Sequence, residues 1–412
     1  MTRKLTVRPE TAVLTRGYDP ALSVGSARPA VFRSSTYVFS SPESAARSFE
    51  IALGKARPAP GENVDLIYAR ISHPNAQLVE EQVVPLEQGA EDAAVFNSGM
   101  AAISSVFFTF CPPGSTVVHT APLYGGTQLF LDAILTPLGV RTVAVDAGDK
   151  DGLARAIGAA TKLALVLVET PANPTLRMSD IEAASLAAHA HPDKPLVVVD
   201  NTFLGPAFQH PLVLGADLVC YSATKYLSGF SDLLAGVVLA KDRELIGKLR
   251  GTRAVLGNIL QPDECWMLNG RLVTVPLRMN KQSKNAARIA AALVDHPAIE
   301  ELIYPALFKE PEQCRIRDRQ CDYPGAIITL ALKGGRPAAF TFLRSLTIAR
   351  NAVSLGGVES LACHPRTTTH SELSVEQLDR AGITEGMVRL SVGIESWHDL
   401  LADLRTALDA LA

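Results

Sequence analysis

The chain has 412 residues, 47% hydrophobic and 20% charged, with a formal net charge of −3. That length exceeds one ordinary core and predicts two or three units. The slightly acidic balance speaks against a nucleic-acid or membrane-surface binder, which would be basic. No apolar run reaches the roughly 18 residues that a membrane span needs. The opening Met1-Thr2-Arg3-Lys4-Leu5 has no apolar signal core, so a cytoplasmic protein is expected.

Residues 1–65 read as an irregular N-terminal arm, with a proline- and glycine-rich loop at 56–63. Short apolar runs then alternate with helical spacing. The runs 115–120, 140–145, 163–169, 196–200, 218–222 and 234–240 each predict a buried strand. Such alternation predicts a mostly parallel sheet with helices on both faces, filling an α/β domain over 66–265. From 266 the pattern changes to long helices (277–293), a few strands (326–332) and a last helix (398–411). This predicts a smaller C-terminal α+β domain over 266–412. Six cysteines (Cys111, Cys220, Cys265, Cys314, Cys321 and Cys363) form no CxxC pair, so a zinc site is not expected, and without an export signal disulfides are not expected either.

In open parallel sheets ligands bind beyond the carboxyl ends of the strands. Polar residues that follow the predicted strands therefore carry the chemistry. The run 196–200 ends in Asp200, and the run 218–222 leads into Ser222-Ala223-Thr224-Lys225. An aspartate at one strand end and a lysine after the next suit a pyridoxal-5′-phosphate (PLP) site. The carboxylate keeps the pyridine nitrogen protonated, and the amine captures the aldehyde as a Schiff base. Either residue alone is more often structural.

The segment Tyr221-Ser222-Ala223-Thr224-Lys225-Tyr226-Leu227-Ser228-Gly229, followed by Asp232 and Gly236, resembles the lysine signature of the Cys/Met-metabolism PLP enzymes. Cystathionine γ-synthases, cystathionine γ- and β-lyases, methionine γ-lyases and O-acetylhomoserine sulfhydrylases belong to this family. The resemblance extends from about Pro29 to Leu411 and implies the fold-type I PLP-dependent transferase architecture. It also implies the site. Asn97-Ser98-Gly99-Met100-Ala101 resembles the phosphate loop, where Gly99 admits the backbone and a helix N-terminus offers free N–H groups. The Ser222 and Thr224 hydroxyls would add phosphate ligands. Tyr68-Ala69-Arg70 resembles the segment that reaches the phosphate of a neighbouring subunit, which implies a homotetramer built from two catalytic dimers. Tyr124, in Leu123-Tyr124-Gly125-Gly126, would stack on the cofactor ring and protonate the departing γ-group. Glu169-Thr170-Pro171-Ala172-Asn173-Pro174 resembles the turn whose asparagine lies near the cofactor and the substrate carboxylate. Arg389 would clamp the α-carboxylate, beside a pocket loop that begins at Val353-Ser354.

The implied function is γ-elimination from a small γ-substituted L-amino acid, of methionine, homocysteine, canavanine or O-acyl-homoserine type. γ-Replacement, as in cystathionine γ-synthase or O-acetylhomoserine sulfhydrylase, is the alternative, with cystathionine γ- or β-lyase third. Val353 resembles the aliphatic residue of methionine γ-lyases; the enzymes acting on cystathionine usually carry glutamate there. Gly126 and Arg253-Ala254 depart from the methionine γ-lyase pattern. Arg366 replaces a small residue and reads as either a solvated arginine or a pocket determinant. Ser222-Ala223-Thr224-Lys225 also fits the S-x-x-K of serine acyl-transfer enzymes, but their companion motifs are missing. A non-catalytic protein on the same fold would be expected to lack Lys225 or Asp200, and both are present.

Overall fold

The computed structural model describes residues 7–59 and 61–411. Residues 1–5, on which the cytoplasmic expectation rests, and Pro60 of the predicted 56–63 loop lie outside the described residues. Seven strands form the large sheet: β1 (Asp92–Phe96), β2 (Thr116–Ala121), β3 (Arg141–Asp146), β4 (Leu163–Glu169), β5 (Leu196–Asp200), β6 (Leu218–Ser222) and β7 (Gly236–Ala240). Their order is β1-β7-β6-β5-β4-β2-β3. Strands β2 to β6 run parallel to one another, and β7 is antiparallel to both β1 and β6. The interior strands are Val- and Leu-rich and buried along almost their whole length, as a sheet covered on both faces requires.

Two features differ from the sequence expectation. The strand β1, Asp-Ala-Ala-Val-Phe, lacks the β-branched run that would mark it, and its place comes from pairing with β7. The arm 1–65 is not wholly irregular. It holds helices Pro9–Thr15 and Pro42–Ala52, each opened by a proline in its first turn, the second capped by the Ser41 hydroxyl. Proline reads as a breaker in sequence but is favoured at the first helical position.

A second sheet of five strands follows: β8 (Ile299–Ile303), β9 (Ile327–Leu332), β10 (Arg350–Asn351), β11 (Leu361–Cys363) and β12 (Met387–Ser391), in the order β10-β11-β12-β9-β8. All its pairings are antiparallel except β10–β11. The helix Val275–Leu293 joins the two halves. Val275 and Met279 pack into the core that holds Val219, Tyr221 and Tyr226, whereas Ala286, Ile289 and Leu293 pack with Ile328, Leu390 and the terminal helix Trp397–Asp409. No helix among the described residues is long and apolar enough to cross a membrane.

Candidate active site

Register places the chemistry. Glu169 on β4 faces Asp200 on β5, and Asp200 faces Cys220 on β6, so the strand ends lie in one row. Phe96 of β1 and Ser222 of β6 both pair with Gly236 of β7. That brings the loop after β1 and the loop after β6 to the same edge. They flank a cavity of about 600 Å³ lined by Gly99, Met100, Tyr124, Asn173, Asp200, Ser222, Thr224, Lys225, Val353, Ser354 and Arg389.

At the first wall, the Ser98 hydroxyl accepts the Ala101 N–H (3.0 Å) and caps the helix Gly99–Phe110. Its carbonyl accepts the Ala102 N–H, which leaves the Gly99 and Met100 N–H groups without a protein acceptor among the described residues. Residue 99 must be glycine here, because a β-carbon would stand 2.8 Å from the Ser222 Cβ and Oγ. Across the gap the Ser222 hydroxyl has no protein partner among the described residues, and its N–H donates to Thr202 Oγ1 (2.9 Å). The Thr224 hydroxyl, by contrast, already bonds the Ala235 N–H (3.0 Å) and carbonyl (3.3 Å). Two free N–H groups on a capped helix and one free hydroxyl form a cradle suited to a phosphate.

On the floor, Asp200 accepts the Thr202 N–H (3.0 Å) with one oxygen. Burial pushes its carboxyl above the usual range. Glu169 is pushed up to about 8, by burial first and by Asp200 second. A half-buried carboxylate with an oxygen to spare, beside a second acid that holds its proton, suits a cationic ring nitrogen.

Opposite, the Lys225 Nζ donates to the Ser354 hydroxyl at 2.9 Å. Burial, and then the Arg389 charge, lower its ammonium to about 8. The loop carrying Ser354 is held in place from several sides. Ser354 itself has φ of 92°, strained for a residue with a side chain. Gly356, at φ of 75°, lets the loop approach the Tyr226 N–H so closely that a β-carbon would lie 2.7 Å from that nitrogen. The Gly356 N–H donates to Ser391 Oγ (2.9 Å), and Gln282 Nε2 donates to the Gly357 carbonyl (2.7 Å). Arg389, on β12, is buried and donates to Asn173 Oδ1 (3.1 Å) and the Ser354 carbonyl (2.8 Å). Its Nε has no partner among the described residues, an orphaned buried donor beside the cavity.

Several residues with a part in the site had no sequence assignment. Glu169 accepts the Tyr124 N–H at 2.7 Å and so sets the start of the tyrosine turn. His370 Nε2–H donates to the Asn173 carbonyl (3.0 Å), and burial plus Arg389 push the imidazole down to about 4, so it stays neutral. Glu169 stands at a strand end like Asp200 and was findable by the same rule. His370 comes from a loop 197 residues away from Asn173, and no local pattern announces it.

Four singled-out residues lie elsewhere. Tyr68 and Arg70 are exposed and do not line this chain's cavity; Arg70 stacks over Tyr68 at 5.7 Å and donates to the Ala254 carbonyl. Arg366 is neither solvated nor in the pocket. Its side chain is 9% exposed and pairs with Asp379 (2.8 Å) and Glu385 (3.1 Å). Arg253 is buried against Glu80 (2.6 Å) and the Val95 carbonyl (2.6 Å), away from the cavity.

Comparison with known proteins bears on the family of the whole chain. Residues 10–409 match the model of the family described as "Cys/Met metabolism PLP-dependent enzyme". An L-methionine gamma-lyase of Pseudomonas deceptionensis is 40% identical over 98% of this chain and 97% of its own length. A cystathionine gamma-lyase of Bos taurus is 38% identical over 85% of each chain. The solved cystathionine gamma synthase of Xanthomonas oryzae pv. oryzae in complex with cystathionine superposes with a TM-score of 0.89 at 34% identity, covering 99% of both chains.

Proposed function

Because the chain belongs to the Cys/Met metabolism PLP-dependent enzymes, we propose that it is a γ-lyase acting on an L-amino acid with a short γ-substituent. The protein is a PLP-dependent lyase or synthase of sulfur amino acid metabolism. PLP, when bound, supplies the electron sink that makes Cα and Cβ acidic. Gly99, Met100 and Ser222 would hold its phosphate, Asp200 its ring nitrogen and Lys225 its aldehyde carbon.

The remaining work falls to the chain's own groups. Arg389 has two N–H donors on protein oxygens and an orphaned Nε, and it orients the α-carboxylate of the substrate. The Lys225 Nζ removes the Cα proton; an amine lowered to about 8 gives up its proton far more readily than an ordinary lysine and is free above that pH. The Tyr124 ring stands at the cavity wall, half exposed, and its hydroxyl gives a proton to the departing γ-atom. Loss of the γ-group, then hydrolysis, yields the protonated leaving group, ammonia and 2-oxobutanoate.

One observation carries the choice of substrate. Val353 lines the cavity directly beside Ser354 and Arg389. An aliphatic wall there offers nothing to a second amino-acid head group, which favours a short substituent over cystathionine. γ-Replacement is the second reading, favoured by the superposition on cystathionine gamma synthase and by a cavity with room for a second reactant. We also propose that Tyr68 and Arg70 complete the phosphate site of a second copy, in a tetramer of catalytic dimers. Their exposure and their distance from their own cavity support this.

A panel of L-methionine, L-homocysteine, O-acetyl-L-homoserine and L-cystathionine, assayed with and without added cysteine, tests the reading. 2-Oxobutanoate is expected as the dominant product throughout. Dominant cystathionine formation from O-acetyl-L-homoserine and cysteine would overturn elimination in favour of replacement.

A further inference from the structure

The charged groups on the cavity wall each have a hydrogen-bond partner among the described residues, with one exception. Lys225 and Arg389 are the cations on its wall; Glu169, Asp200 and Glu372 are the carboxylates. Glu169, buried, and Asp200, half-buried, accept the Tyr124 and Thr202 N–H groups. Glu372 is different. It is solvent-exposed at the cavity wall, and its carboxylate meets no hydrogen-bond donor and no cation among the described residues.

Its position is made possible by a second residue. A β-carbon on Gly125 would coincide with the Glu372 carboxylate and would crowd the Thr369 carbonyl. The carboxylate therefore fills the space that a side chain at 125 would take, directly beside Tyr124. The loop that carries it is tied down by His370, through the bond to the Asn173 carbonyl, and by Arg366, through Asp379 and the Ile383 carbonyl. Arg389 and Val353 stand with Ser354 on one part of the wall, and Tyr124 and Glu372 stand together on another.

We infer that Glu372 is a specificity-determining residue that selects γ-substituents ending in a positive charge. A substrate held at Arg389 by its α-carboxylate, with its γ-atom beside the Tyr124 hydroxyl, would extend its far end toward the Glu372 side of the cavity. An ammonium or similar cation there would meet an unpaired carboxylate. A neutral end would leave that carboxylate to water, and an anionic end would be repelled. With the aliphatic Val353 also on the wall, the favoured group is a simple cation without an amino-acid head. This deepens the γ-elimination reading and rests on it for the position of the γ-atom.

The test uses an isosteric pair, S-(2-aminoethyl)-L-homocysteine and S-propyl-L-homocysteine, with the PLP-loaded enzyme. Binding is followed by the change in the cofactor's visible absorption, and turnover by 2-oxobutanoate. The cationic thioether is expected to bind roughly fivefold tighter than the neutral one, the range of a partly exposed charge pair. Glu372→Gln should bring the ratio to near one, and Glu372→Lys should invert it. A ratio near one in the parent, or a ratio unchanged by both substitutions, overturns the inference. A binding preference without 2-oxobutanoate from either thioether leaves the role of Glu372 standing and sinks the γ-elimination reading instead.

Discussion

Lys225 is held as a reactive amine before any cofactor arrives, because burial and Arg389 both disfavour its charged form. The sign is definite. Below about 8 the amine is protonated and cannot attack the aldehyde; above it the free amine dominates. The rate at which the apoprotein takes up PLP should therefore rise with pH through about 8, and stopped-flow absorbance would record it. Stability is a poorer reporter. The folded lysine loses its proton below its ordinary 10.5, so its contribution to stability is lost as pH falls through about 8. The Glu169 carboxyl is raised from 4.5 to about 8, so its contribution is lost as pH rises from 4.5 toward 8, and the two windows meet near 8 with opposite slopes. Arg389 gives a second prediction at this scale. Its planar fork serves Asn173 and Ser354 at once, a geometry that lysine cannot reproduce. Arg389→Lys is expected to lower kcat/KM by roughly 10- to 100-fold, mainly through KM, as the loss of a charge-assisted bidentate pair implies. Steady-state kinetics on the preferred substrate would check it.

Among the elements, the helix Gly99–Phe110 and strand β6 approach each other only because residue 99 has no β-carbon. Gly99→Ala should force them apart, at about 1–3 kcal/mol of strain, and should weaken PLP retention in equilibrium dialysis far more than it lowers the melting temperature. Ser98→Ala removes a helix cap and should cost about 1 kcal/mol of stability. Equal PLP affinity in parent and Gly99→Ala would contradict the phosphate assignment. Much of this was legible in the sequence, for a physical reason. Buried parallel strands must be apolar, so their polar ends stand out, and Asp200, Ser222 and Lys225 are marked by that contrast. What was not legible depends on partners far along the chain. The alanine-rich β1 is a strand because β7 pairs with it. The tie from His370 to Asn173 and the buried ion pairs of Arg366 join segments that no periodicity links. The helices of the N-terminal arm begin at prolines, which resemble loop signals until the flanking cap is seen.

For the molecule as a whole, the two sheets are joined through the helix Val275–Leu293 and through the loop that carries Ser354, so the site depends on their mutual placement. Arg366 contributes to that framework from outside the cavity. Arg366→Ala should destabilise the protein by about 1–3 kcal/mol, because the Ile383 carbonyl and Asp379 lose their donor and Glu385 is left with Arg336 alone. Thermal unfolding would show the loss, while the ratio of elimination to replacement should not move. The proposed sharing of the site between copies has its own test. Lys225→Ala and Arg70→Ala enzymes are each expected to be nearly inactive, and unfolding and refolding them as a mixture should restore part of the activity. A mixture no more active than its components would mean that Arg70 serves only its own chain.

The central claim is that the Lys225 amine carries the Cα proton of an amino acid clamped by Arg389. Its most direct measurement is exchange of the substrate's Cα hydrogen for deuterium in heavy water, followed by NMR with PLP-loaded parent and Lys225→Ala proteins. Rapid exchange in the parent and none above background in the variant is the predicted result. Equal exchange in the two would show that another group moves the proton.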